Sequence, residues 1–168
     1  VYAVKHAGIH WPGRLDAWFS FHPNMVQDFI QKRKMYGYEP ARRIITHEPA
    51  SVPTEVIRSY LIPGMPNSGA SGFFAVAIAL RDGFDRNVLC GIPMTRDTGR
   101  IDGRIIWESA VTYQIRVLPI IDQIKGKVKS MSGWTAQKLG TPDTAWLCGQ
   151  ENARDAQHLG EMNAESCV

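Results

Sequence analysis

The sequence predicts an α/β domain with a mostly parallel sheet. Short runs rich in β-branched and aromatic residues alternate with longer, helix-like apolar runs, and prolines or glycine turns cut off most of the strand-like ones. Composition agrees: 168 residues, 44% hydrophobic and 21% charged, are enough for one globular domain with a sizeable core.

In chain order, residues 1–5 read as a strand that leads into the turn-rich loop "KHAGIHWPG". "RLDAWFSFHP" gives a second strand, stopped by Pro23. From Asn24, read as an N-cap, Met25, Val26, Phe29, Ile30 and Met35 fall near helical spacing up to Gly37. "ARRIITHEP" supplies a third strand ending at His47 or Glu48. Residues 50–66 hold three prolines and read as an irregular connection with one edge strand. Ala70 to Arg81 is apolar nearly all round, as suits a helix buried against a sheet. "RNVLCGI" is the next strand. After the polar loop "MTRDTGRIDGR" comes a helix from Trp107 to Ile124, which Pro119 is expected to kink or divide. "GKVKSMSG" and "WTAQKLG" give a last strand and a short closing helix. The domain is expected to span residues 1–147, with a polar, loosely ordered tail over 148–168. The chain opens without Met inside what reads as a strand, so a fragment or a lost first element is expected.

Charge and cysteines exclude several classes. The net charge of +3 is spread among interleaved acidic and basic residues, so nucleic acid is not indicated. Cys90, Cys148 and Cys167 form no CxxC pair and are odd in number, which suggests neither a disulfide framework nor a zinc knuckle. No run approaches the roughly 18 apolar residues of a membrane span. A soluble, cytoplasmic protein is expected.

The predicted strand ends carry Lys5 and His6, Ser20 and His22, Thr46 with His47 and Glu48, Cys90 and Gly91, then Ser130, Ser132 and Gly133. In a parallel sheet these converge on one rim, outside the carboxyl ends of the strands, where ligands bind. Three of the five histidines fall there. His22 and His47 are candidate general bases, and Lys5 would offset developing negative charge. Each histidine taken alone reads more readily as a loop-closing residue, and it is their joint placement that points to a site. A metal site from His6, His22, His47 and Glu48 has no supporting spacing, so no metal is expected.

"NSGASG" sets small residues, Asn67 to Gly72, just before the apolar helix, so that first-turn N–H groups can point at a phosphate. Ser68, Gly69, Ser71 and Gly72 are the candidate cradle. The motif is neither GxGxxG nor a Walker sequence, and an ordinary serine N-cap is the competing reading. Arg96, Arg100 and Arg104 lie in a loop that would contact phosphates as a lid or simply stay solvated. The five tryptophans are spaced too irregularly for a base-stacking platform and are expected mostly in the core.

"SGASGFFAVAIALRDGFDRNVLCGIPM" resembles the small-residue turn, helix and strand of a Rossmann-like superfamily that includes bacterial sialyltransferases and 6-hydroxymethylpterin pyrophosphokinase-like proteins. "VYAVKHAG", "LDAWFSFHP" and "KVKSMSGWTAQKLGTPDTAWL" look like parts of bacteriophage and prophage proteins of the same fold type. The resemblance covers residues 1–147. It implies a three-layer Rossmann-like domain lacking its first β-loop-α element, and a nucleotide or nucleotide-sugar donor touched by Ser68, Gly69, Ser71 and Gly72. Two departures count against sialyl transfer: Pro93 stands after Ile92 where sialyltransferases usually carry Asp, and residues 95–147 hold no histidine.

Three readings result. One is a nucleotide- or nucleotide-sugar-dependent transferase-like domain of phage or prophage origin, acting in the host cytoplasm on glycosyl or pyrophosphoryl groups. The second is a non-catalytic phage-encoded binding or assembly module, partnered by its own copies or by a phage protein. The third is a domain with only residual ligand affinity, because its first phosphate loop is missing, and with a strand-pairing site left open where the first element should lie.

Overall fold

The computed structural model describes residues 1–58, 62–65, 71–96 and 106–149. The elements run β1 (Tyr2–Val4), α1 (Ala7–His10), β2 (Ala17–Ser20), α2 (Val26–Met35), β3 (Ile44–Thr46), β4 (Glu55–Val56), α3 (Ser71–Arg81), β5 (Asn87–Leu89), α4 (Ala110–Ile124), β6 (Val128–Ser130), α5 (Gly133–Leu139) and α6 (Thr144–Cys148). All strand pairs are parallel. They form a four-stranded sheet, β1-β2-β3-β4, and a two-stranded sheet, β5-β6. Helices cover both sides, as the α/β reading expects of a Rossmann-like domain.

Alternation along β2 divides the core. Ala17 and Phe19, with Phe21 just beyond, join the large cluster beneath α3. Trp18 points the other way, onto Ala3, Ile9, Leu15 and Phe29. This period of two is what a strand buried on both faces produces. Helix α3 buries Phe73, Phe74, Val76 and Ile78, and it packs against β1, β2 and β5. At roughly 1.5–3 kcal/mol per large apolar side chain, this helix is a principal source of stability.

Several local expectations need correction. "AGIH" forms one helical turn, α1, rather than loop. Its neighbourhood is held by Arg33, 2% exposed, which donates to the carbonyls of Gly8 (2.7 Å), Trp11 (2.6 Å), Gly13 (3.0 Å) and Glu39 (2.6 Å). Asn24 is not the N-cap: Pro23–Met25 form a 3-10 turn and α2 starts beyond it with no side-chain cap. Helix α4 starts at Ala110 and runs through Pro119 undivided. Proline there removes one ladder donor without ending the helix. A further short helix, α6, runs to Cys148, and its N-cap Asp143 accepts from the Trp146 amide at 2.8 Å. The expected edge strand is β4, two residues long, and Trp18 and Trp146 are core residues.

Candidate functional site at the strand-order reversal

The chain winds outward from β1 through β2 and β3 to β4, then crosses by way of α3 to β5 and β6. Strand order therefore reverses between β1 and β5, the place where open α/β sheets bind ligands. A cleft of about 1310 Å³ lies there. Its walls are β1 with Lys5 and His6 on one side, and β5 with Cys90 to Thr95 on the other. Ser71, Gly72, Ala75, Val76 and Ala79 of α3 line it between them.

Lys5, His22, Ser71 and Gly72, four of the candidate residues, line this cleft. His47 does not. Its ring packs edge-on to Phe21, 4.8 Å between centroids. Its Nδ1 is buried without a hydrogen-bond partner, and its Nε2 is 3.8 Å from the Glu48 carboxylate. Ser68 and Gly69, with Asn67, Ala70, Arg100 and Arg104, lie outside the described residues. Arg96 is exposed and does not line the cleft.

His22 stands exposed at the mouth, yet partial burial against the wall lowers its pKa, with further lowering from the charges of Lys5 and His47. It is therefore held neutral at pH 7, with a lone pair for a proton or a donor. Ser71 is 5% exposed and its Oγ accepts from the Phe21 amide at 3.2 Å. That contact fastens the start of α3 to the end of β2. A Cβ on Gly72 would come within 2.7 Å of Ile92 Cδ1, so glycine here lets the loop after β5 lie close on α3.

Among the described residues, two non-glycine residues have positive φ, Lys5 (48°) and Met94 (50°), and both line the cleft. Left-handed backbone at such residues costs about 1–3 kcal/mol and gathers at functional sites. The sequence alone gave no sign of this, nor of the stacked pair Trp107 and Tyr113, centroids 5.2 Å apart, which forms an aromatic wall of the cleft.

The hydroxyls at the strand ends have another task. Ser20 Oγ donates to the His22 carbonyl (3.3 Å), Thr46 to that of Glu48 (2.7 Å) and Ser130 to that of Ser132 (3.4 Å). Each closes the turn two residues on. None of these three residues lines the cleft.

At the opposite end of the sheet a charged network clamps α3 to the strands. Arg43 pairs with both Glu55 oxygens (3.0 and 3.1 Å) and with Asp82 (2.7 Å), which also accepts from the Tyr2 hydroxyl at 2.6 Å. Arg81 reaches Glu55 and Asp82. Burial first, then Asp82, pushes Tyr2 up to about 12. The Arg43 hydrogen bond leads in lowering Glu55; burial opposes the lowering of Asp82, but the bonds from Tyr2 and Arg43 outweigh it.

Among the described residues no three His, Cys, Asp or Glu side chains gather as metal ligands, and no helix is long and apolar enough to cross a membrane. Cys90, at the cleft, and Cys148 are free and exposed. The fold and the cleft define a parallel α/β domain of Rossmann-like type. Comparison with family models, curated proteins and solved structures finds no match.

Proposed function

We propose that this domain, of phage or prophage origin, binds a nucleotide or nucleotide-sugar and is transferase-like, moving a glycosyl or pyrophosphoryl group, as the Rossmann-like superfamily it resembles implies. The observation that carries the reading is the meeting of Lys5, His22, Ser71 and Gly72 in one cleft at the strand-order reversal. Phosphate would lie against Lys5 and the start of α3, where the ammonium and the helix dipole both favour negative charge. The base would rest against Trp107 and Tyr113, whose faces suit any purine or pyrimidine. Neutral His22 would accept the acceptor hydroxyl's proton. His47 would act through His22, whose pKa its charge lowers, rather than on the ligand.

The alternative, a non-catalytic binding or assembly module, is favoured by one observation: the strand-end hydroxyls are spent on closing turns. A thermal-shift titration against nucleoside triphosphates and CMP-, UDP- and GDP-linked sugars separates the two. At one hundred times its dissociation constant, a true ligand adds about 2.7 kcal/mol. Loss of that gain in Lys5→Ala and His22→Ala is expected of a working rim. No stabilisation by any nucleotide class would leave the module reading in place.

A further inference from the structure

The lower part of the cleft has the form of a strand position. In β1 the groups of Val1 and Lys5 bond toward β2, since Ala17 N donates to the Val1 carbonyl (3.5 Å) and Lys5 N to that of Phe19 (3.0 Å). In β5, Asn87 N donates to the Lys127 carbonyl (2.8 Å) and the Leu89 carbonyl accepts from Met131 N (3.0 Å), both toward β6. Parallel ladders alternate, so the backbone groups of Tyr2, Val4 and Val88 point away from these partners. β1 and β5 end their sheets among the described residues, and both border the cleft. Parallel strands on both sides, in one winding α/β domain, call for a parallel strand between them.

The lining specifies the side chains. Ala75, Val76 and Ala79 make one wall small and apolar, and contact between Tyr2 and Phe84, 5.4 Å between centroids, closes the lower end. A strand placed there would be covered on a face by α3 and would carry Val, Ile or Ala, with glycine where it reaches the rim.

We infer that the cleft between β1 and β5 is a β-augmentation site that takes one extended, apolar peptide strand, parallel to both neighbours and donated by a partner polypeptide. The strand joins the two sheets into one seven-stranded sheet, adding one to the six described. The inference does not rest on the nucleotide reading, because it concerns the backbone edges below the rim.

The test is amide hydrogen exchange on the full chain with the synthetic peptide Lys-Val-Val-Ile-Val-Gly-Lys-Lys, against a control peptide with proline at its second and fourth positions. Two prolines leave composition similar and remove ladder donors. At saturating peptide, exchange at Val4 and Val88 is expected to slow at least tenfold, with Asn87 and Leu89 little changed and the control peptide inert. Unchanged exchange at Val4 and Val88, or equal protection by the proline peptide, would overturn the inference. A third arm fuses the same strand through a flexible linker ahead of Val1. Protection in the fusion alone would overturn donation by a partner and assign the position to the same polypeptide. Nucleotide stabilisation without strand protection, or the reverse, keeps the two proposals apart.

Discussion

Ser71 Oγ accepts a hydrogen bond from the backbone amide of Phe21 at 3.2 Å, across 50 positions of sequence. One hydroxyl thus fixes where α3 begins relative to the rim that carries His22. Ser71→Ala leaves a buried amide without a partner, so about 1–3 kcal/mol of stability should be lost. Ser71→Thr, if its methyl is accommodated, should keep most of it. Urea denaturation of both variants checks the point, and an unchanged midpoint for the alanine variant would mean that water replaces the hydroxyl.

Arg33 is the second lock. Its guanidinium uses four N–H groups on four carbonyls, with no carboxylate in reach of these bonds. Burial lowers its pKa, and the nearby Tyr38 and Glu39 partly restore it. Lysine has three donors on a point charge and cannot span the same set. Arg33→Lys should cost about 2 kcal/mol, and Arg33→Met about 3 kcal/mol or more, by leaving carbonyls unpaired. Equal stability of the lysine variant in chemical denaturation would show that fewer of these bonds count.

Acid stability should be governed by the clamp at the far end of α3. The folded pKa values of Glu55 and Asp82 lie below their ordinary 4.5 and 3.8, so the unfolded chain binds more protons in that region. Their contribution is complete above about pH 5, falls as pH drops past the ordinary values, and is gone below the depressed ones. Asp82→Asn should be less stable at pH 7 and less sensitive to acid. Tyr2 acts in the opposite direction: its raised pKa contributes stability below pH 10 that is lost as pH rises through about 12. Unfolding curves from pH 7 to 3, with a tyrosinate absorbance titration at high pH, measure both.

His22 should report its neighbours. Lys5→Ala removes one of the charges that lower its pKa, so its titration should move toward 6.5. Inorganic phosphate on the rim should move it the same way, and by reciprocity phosphate should bind more tightly as pH falls through that pKa. Imidazole proton shifts in an NMR titration give the answer. A His22 pKa indifferent to both changes would separate Lys5 and His22 electrostatically.

The layered α/β pattern was readable because it rests on burial. Ala17 to Ser20 and Phe73 to Ala79 are so apolar that any fold must bury them on two sides, and proline placement punctuated them. The rim was half readable. Lys5, His22, Ser71 and Gly72 follow from the parallel winding, but whether His47 faces the cleft depends on how a strand end twists, and it turns into Phe21 instead. Trp107 and Tyr113 reach the cleft by tertiary packing alone. The sequence predicts no helix at "TPDTAW", although Asp143 precedes the first residue of α6 and caps it; a five-residue helix is too short to show a packing period.

The division into two sheets also bears on how the molecule comes apart. Among the described residues no ladder of hydrogen bonds joins β1-β2-β3-β4 to β5-β6; the two halves share a core through the side chains of α3. Side-chain packing couples neighbours less rigidly than a continuous ladder, so cooperativity should be weakest across this seam. Each half would then open as its own folding unit, with α3 as the axle between them, and calorimetric and van't Hoff enthalpies should part company.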